Sequence, residues 1–166
     1  MSDGWVINAS PIITLAKVGH LELIEKLAPN VGVPPAVVEE IVSGSENDPG
    51  RLAIERGWGK RLGAAQLRLE VLGWSLGPGE SEVLSIALGQ TGWTAVVDDA
   101  TARSCARSLG IPVIGTLGVV LRGKRRGLID SAAEVIRGLR RAGLYLDDGF
   151  VRDVLEQVVG ENWQPE

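Results

Sequence analysis

The sequence predicts an α/β fold in which helices cover a mainly parallel sheet. Short β-like apolar runs give way to helix starts, the helices between them carry one apolar stripe each, and this alternation recurs along most of the chain. With 166 residues and 45% apolar content, the chain has the size and composition of one ordinary domain. One domain is therefore expected over 1–166, with 131–166 as C-terminal helices.

Trp5-Val6-Ile7 is the first strand, and it stops at Asn8-Ala9-Ser10-Pro11, where Ser can cap a helix and Pro suits its first turn. That helix runs to Gly19, and a second covers Leu21 to Leu27. Val31-Gly32-Val33 reads as a strand, and Pro34-Pro35 opens a helix over Ala36 to Val42. Ser43 to Gly50 has loop composition, and a short helix follows to about Glu55. Glycines at 57, 59, 63 and 73 then interrupt every period, so no element is assigned up to Leu76. Gly77-Pro78-Gly79 launches a helix over Glu80 to Gln90. The buried-type strand Thr94 to Val97 ends at Asp98-Asp99, and the helix Ala100 to Leu109 follows. Val113-Ile114 is a strand ending at Gly115-Thr116, and Leu117 to Arg126 is a helix with a basic end. Ser131 to Ala142 and Phe150 to Val159 complete the helices.

Composition excludes several function classes. No apolar run reaches about 18 residues, and Met1 to Ser10 lacks the basic start and apolar core of a signal peptide, so a soluble, cytoplasmic protein without membrane contact is expected. One cysteine, Cys105, and one histidine, His20, cannot assemble a Cys/His zinc site, so any metal must be held by oxygen. Cys105 lies on the apolar stripe of its helix and is read as a core residue. The Gly77 to Ser81 segment lacks the third glycine and the Lys-Ser/Thr of nucleotide loops, and no serine sits in a nucleophile elbow. Net charge is −4, yet Arg122, Lys124, Arg125, Arg126, Arg137, Arg140 and Arg141 crowd into 20 positions, which leaves a local basic surface. The five Trp are scattered, and the single Phe and Tyr add no evident base-stacking platform.

In an open α/β sheet, ligands sit beyond the carboxyl ends of the strands, which singles out Asn8, Asp98, Asp99 and Thr116. Helical geometry adds two carboxylates. Glu40 lies about 60° from the core-facing Val37 whereas Glu39 lies about 160° from it, so Glu40 borders the core and Glu39 faces water. Glu80 falls on the stripe of Val83, Leu84 and Ala87; it is either an inward-pointing site residue or a charge favouring a helix N-terminus. One Asp of the pair at 98 and 99 suffices as a helix cap. Two adjacent carboxylates at a buried strand end repel each other, and either a cation or Arg103, one turn further on, could offset this.

Together these residues resemble a PIN domain. Val6-Ile7-Asn8-Ala9-Ser10-Pro11-Ile12-Ile13 with Leu15-Ala16-Lys17, Pro35-Ala36-Val37 leading to Glu40, Leu76-Gly77-Pro78-Gly79-Glu80 with Ala87-Leu88, and Val97-Asp98-Asp99 with Ala102-Arg103 carry the likeness in that order. Gly115-Thr116-Leu117-Gly118 and Lys124-Arg125-Arg126-Gly127-Leu128-Ile129 continue it, so that it covers roughly residues 5 to 130. The resemblance is close to a prokaryotic PIN-like subgroup related to the VapC-type toxin ribonucleases. The resemblance implies a three-layer α/β/α fold and an endoribonuclease dependent on Mg²⁺ or Mn²⁺. It makes Glu40, Glu80 and Asp98 the metal-site carboxylates, with Asp99 as the alternative to Asp98, and Ser10 and Thr116 supporting polar groups. The departure is Asn8, where most active PIN nucleases have Asp, although Asn is not unusual in this subgroup.

The expectation is thus a metal-dependent endoribonuclease acting on RNA, dimeric, and the toxin of a pair silenced by an antitoxin protein. Its rival is a catalytically silent PIN-like module that binds RNA or a protein. Arg122, Lys124, Arg125 and Arg126 are expected to contact RNA phosphates, against the alternative that they only favour a helix C-terminus.

Overall fold

The computed structural model describes residues 3–166, so Met1 and Ser2 of the stretch inspected for a leader lie outside the described residues. Five parallel strands form one sheet: β1 (Gly4–Ile7), β2 (Val31–Val33), β3 (Lys60–Arg61), β4 (Trp93–Val96) and β5 (Val113–Ile114). Their order is β3-β2-β1-β4-β5. The chain therefore builds outward from β1 in one direction and returns to place β4 on its other side. This reversal between β1 and β4 is a topological switch point, where helices leave on opposite sides and a crevice opens beyond the strand ends. Registry brings Ile7 opposite Val96, and the Asn8 amide continues the pairing by donating to the Val96 carbonyl at 3.0 Å. Asn8 and Val97, and with it Asp98, are thus carried to the same edge.

The α/β class and parallel sheet agree with the sequence reading; the differences are local. β4 starts and ends one residue earlier than expected, because its pairing with β1 stops where β1 turns into α1 (Ala9–Lys17). Asn8, not Ser10, occupies the cap position of α1; Ser10 lies inside the helix and its hydroxyl is used elsewhere. β3 was not legible: it is an exposed edge strand of two basic residues, and Leu62 adds one more bond to the Val33 carbonyl at 3.0 Å. Charged edge strands carry no alternating apolar signal, and their lysines and arginines discourage further strand addition. α5 (Leu69–Leu72) is likewise a short element in the unassigned stretch.

α2 (Glu22–Leu27), α3 (Pro35–Val42), α4 (Pro49–Glu55), α6 (Pro78–Gly89), α7 (Ala100–Ser108) and α8 (Thr116–Arg125) fill the crossovers. α4 begins inside the expected loop because Asp48 caps it, accepting from the Arg51 amide at 3.0 Å. α6 buries Val83, Leu84 and Ala87 as its stripe required, but also Gly79, Ser81, Ser85 and Ile86, as befits a helix enclosed on several sides. Cys105 is buried in the core with Ala102 and Ala106. α9 (Ala132–Arg141) follows. α10 (Asp148–Val154) starts two residues before the expected Phe150, capped by Asp147, and continues into a π-helical turn, Leu155–Val159.

The C-terminal tail is tied down by two residues. Glu161 accepts from the Ala132 amide at 2.9 Å, the Ala133 amide at 3.1 Å and the Ser131 hydroxyl at 3.2 Å, at the N-terminus of α9. Burial pushes the Glu161 carboxyl up, but these bonds and the Lys124 charge outweigh it and hold it below the usual range. Trp163 is buried, donates to Asp148 at 2.9 Å and lies under the guanidinium groups of Arg137 and Arg140. Among the described residues no helix is long and apolar enough to cross a membrane.

Candidate active site

Asn8 leaves β1 at the switch point with its side chain 3% exposed. Its amide nitrogen donates to Glu80 Oε1 at 3.0 Å, so the opposite assignment of the amide would set oxygen against oxygen. The Asn8 Oδ1 atom is then buried without a hydrogen-bond partner. A buried carbonyl oxygen of this kind calls for a donor or a cation.

What surrounds it is acidic. Gly79, in the first turn of α6, lies so close that a Cβ there would stand 2.9 Å from Asn8 Oδ1 and 3.7 Å from Glu40 Oε2. Glycine at 79 is therefore what allows α6 to approach both groups. Glu80 is half-buried, and Glu40 is more exposed than its position beside Val37 implied: both Glu39 and Glu40 are open to solvent. Burial, and then the Glu80 charge, push the Glu40 carboxyl above the usual range.

A residue absent from the sequence reading fixes this pair. Pro34 and Pro35 have no amide hydrogens, so Ala36 presents the first orphan donor of α3, and it donates to Glu82 Oε1 of α6 at 3.1 Å. Glu82 joins the helix that carries Glu40 to the helix that carries Glu80. The run Pro-Pro-Ala signals a helix start with an unmet donor, but its partner 46 positions away has no sequence signature.

Asp98 and Asp99 separate into two roles. Asp99 is exposed and caps α7, accepting from the Ala102 amide at 2.9 Å. Asp98 turns into the crevice and accepts three bonds: from Ser10 Oγ at 2.8 Å, from Thr116 Oγ1 at 2.7 Å and from the Thr116 amide at 2.7 Å. Thr116 is fully buried at the start of α8. The repulsion expected between the two aspartates is thus relieved by their divergence and by hydroxyl and amide donors. Arg103 makes no ion pair with Asp98; its guanidinium donates only a long 3.5 Å bond to the Val97 carbonyl. Burial and Arg107 lower its pKa against the pull of Asp98. Gly115 leaves the space in which Arg103 and Asp98 face each other, since a Cβ there would meet both.

The two halves meet at the first turn of α1, where Asn8 holds Glu80 and Ser10 holds Asp98. Among the described residues, no three Asp, Glu, His or Cys side chains stand close enough to hold one ion by themselves. The oxygen set is instead mixed: the unpartnered Asn8 carbonyl, the repelling Glu40 and Glu80, and Asp98 across the helix end. The donor chemistry of this all-oxygen set is that of a hard divalent cation that retains waters.

The basic segment divides in the same way. Arg125 and Arg126, at the end of α8, lie one turn beyond Arg122, and with Trp5 and Leu27 the three arginines line one surface hollow. Lys124 faces elsewhere, donates to the Asp130 carbonyl and lies 3.5 Å from Glu161.

Comparison with known proteins is consistent with this geometry. The family model described as DUF3368: PIN domain matches residues 4–160. No curated protein matches the chain.

Proposed function

Because the chain belongs to the PIN-domain family, a nuclease-type fold, we propose that it is a divalent-metal-dependent endoribonuclease and the toxin of a toxin–antitoxin pair. The observation that carries the reading is the orphaned, buried Asn8 carbonyl oxygen at the sheet's switch point, on a residue whose amide nitrogen holds Glu80 beside the Glu40 it repels. Glu40, Glu80 and Asp98, with Asn8 Oδ1 as a neutral oxygen, would hold Mg²⁺ or Mn²⁺. Asp99, which caps α7, is the carboxylate left in reserve. The bound cation would supply charge stabilisation at a phosphoryl oxygen and a more acidic water.

The chain's own residues do the rest. Ser10 and Thr116 fix the Asp98 carboxylate, so that its orientation is set before substrate arrives. Asn8 fixes Glu80 in the same manner. Glu40, raised above the usual carboxylate range in the metal-free protein by burial and by Glu80, would be drawn to a cation that offsets that repulsion. Arg103 is placed to neutralise a phosphate beside Asp98.

The same reading includes an antitoxin partner and a homodimer. Leu67, Leu69, Leu72 and Trp74 are exposed on and beside α5, and exposed apolar side chains in such density favour a partner.

The test is cleavage of a labelled single-stranded RNA by purified protein in Mn²⁺, with EDTA controls. The expected result is divalent-dependent cleavage that Glu80→Gln abolishes. Cleavage undiminished in that variant places the reaction elsewhere. RNA binding without cleavage in the wild type favours the silent module, a reading supported by the neutral Asn8 and its bond to Glu80.

A further inference from the structure

Beside Asp98 lies a groove of about 560 Å³, a size suited to one small ligand or one nucleotide. Its walls are apolar: Leu117 and Leu121 of α8 on one side, Leu144 and Leu146 from the segment before α10 on the other. At its mouth stand the only tyrosine and the only phenylalanine of the chain, Tyr145 and Phe150, 86% and 56% exposed. Arg103 lies at the Asp98 end and Arg122 on the flank. Neither forms an ion pair among the described residues; each guanidinium makes only a long bond to a backbone carbonyl, at 3.5 and 3.4 Å. Arg122 also lines the hollow of Trp5, Arg125 and Arg126, so cationic donors continue outward from the groove.

We infer that this groove takes one unpaired nucleobase of a single-stranded RNA, stacked on Tyr145 or Phe150, with the flanking phosphates between Arg103 and Arg122. The inference rests on the nuclease reading, because it assigns the reacting phosphate to the Asp98 end. Aromatic faces left in water and bounded by apolar walls match a base, and guanidinium groups that no ion pair occupies match phosphate oxygens. A duplex would offer phosphates to the arginines but keep its bases in the stack, leaving both rings unused. The groove therefore selects unpaired substrate without reading sequence.

The test is equilibrium binding of the full chain, in EDTA so that no cleavage occurs, to single-stranded RNA carrying 2-aminopurine moved one position at a time. Quenching of its fluorescence at one position is expected. The double variant Tyr145→Ala/Phe150→Ala should lose the quenching and bind roughly 5- to 150-fold more weakly. Affinity for a duplex of the same sequence should not change. Tyr145→Phe should retain the quenching. Both rings are exposed, and far-ultraviolet circular dichroism checks that the double variant remains folded. Absent quenching, unchanged affinity in the double variant, or equal loss for duplex and single strand overturns the inference. So does dissociation of a wild-type dimer by the double variant with RNA binding intact, which assigns the groove to a protein interface. Cleavage in Mn²⁺ separates the two readings: cleavage without quenching sinks the groove alone, and quenching without cleavage sinks the nuclease assignment.

Discussion

Asn8 and Glu80, 72 positions apart, share a 3.0 Å hydrogen bond that turns the Asn8 amide nitrogen to the carboxylate and leaves its carbonyl oxygen buried without a partner. The position thus has one satisfied end and one open end. A carboxylate in its place would lose the donor and set a second negative charge against Glu80.

Asn8→Asp should therefore destabilise the metal-free protein by about 1–3 kcal/mol, the range for a broken buried hydrogen bond that leaves a group unmet. Mn²⁺ should reverse the loss, because an anionic oxygen replaces a neutral one beside the proposed ion. Calorimetric titration should show tighter Mn²⁺ binding in the variant, and thermal melts with and without Mn²⁺ should show a larger ligand-induced rise in Tm. If binding does not tighten, Asn8 serves only the turn from β1 into α1.

Glu40 gives a pH signature. Its carboxyl lies above the usual range in the folded protein, raised by burial and by Glu80. Between the unfolded and folded pKa values the native state binds more protons, so this group's contribution to stability falls as pH rises through that window. Above the window Glu40 is a charged and unfavourable neighbour; below it, the penalty disappears. Glu40→Gln should accordingly raise the Tm of the metal-free protein at pH 7, and the difference from wild type should vanish in acid. A variant melting below wild type at neutral pH would show that Glu40 has a favourable contact instead.

At Asp98 the expectation reverses, because its carboxylate is satisfied by donors. Asp98→Asn directs an NH₂ group at hydroxyl or amide donors, and Thr116→Val removes one bond from a fully buried site. Each should lower stability, Thr116→Val by about 0.5–2 kcal/mol, in denaturant unfolding with m unchanged. Neutralising either of the two glutamates, by contrast, relieves repulsion. A stabilising Asp98→Asn would mean that its surroundings are net acidic after all.

What could be read from sequence divides along physical lines. Asn8, Asp98 and Thr116 were legible because a strand end is marked by apolar residues stopping, and ligand sites follow strand ends in parallel sheets. The split between Asp98 and Asp99 was not, since adjacent residues give no sign of which turns back to cap α7. Glu40 was placed at the core border by helical angle, yet solvent reaches it although Ile41, the next residue, is buried. Glu82 was missed because the donor it satisfies belongs to another helix. Ser10 looked like a cap because its type and place suit one, but the hydroxyl has a stronger acceptor in Asp98. Tyr145 and Phe150 are isolated in a sequence otherwise poor in such rings, and only the return of the C-terminal segment to α8, made through the π-helical turn after α10, brings them to one groove.

The basic end of α8 offers a prediction with its own control. Arg125 and Arg126 share a surface hollow with Arg122 and Trp5, whereas Lys124 points away to Asp130 and Glu161. If the arginines contact RNA phosphates, each releases condensed counterions, and affinity for single-stranded RNA falls with salt by a slope of roughly 0.7 per phosphate. Arg125→Gln/Arg126→Gln should therefore flatten the slope by about 1.4, twice that single-contact value, while Mn²⁺ affinity stays the same. Lys124→Gln should leave the slope unchanged. It should instead weaken the fold at neutral pH: the Lys124 charge helps hold Glu161 below its usual pKa, and a carboxyl with a depressed folded pKa contributes stability that is lost as pH falls through that value. With Lys124 gone, less of that stability exists to lose, so wild type and variant should differ at neutral pH and converge in acid. A salt slope that responds equally to all three substitutions would assign the effect to net charge alone.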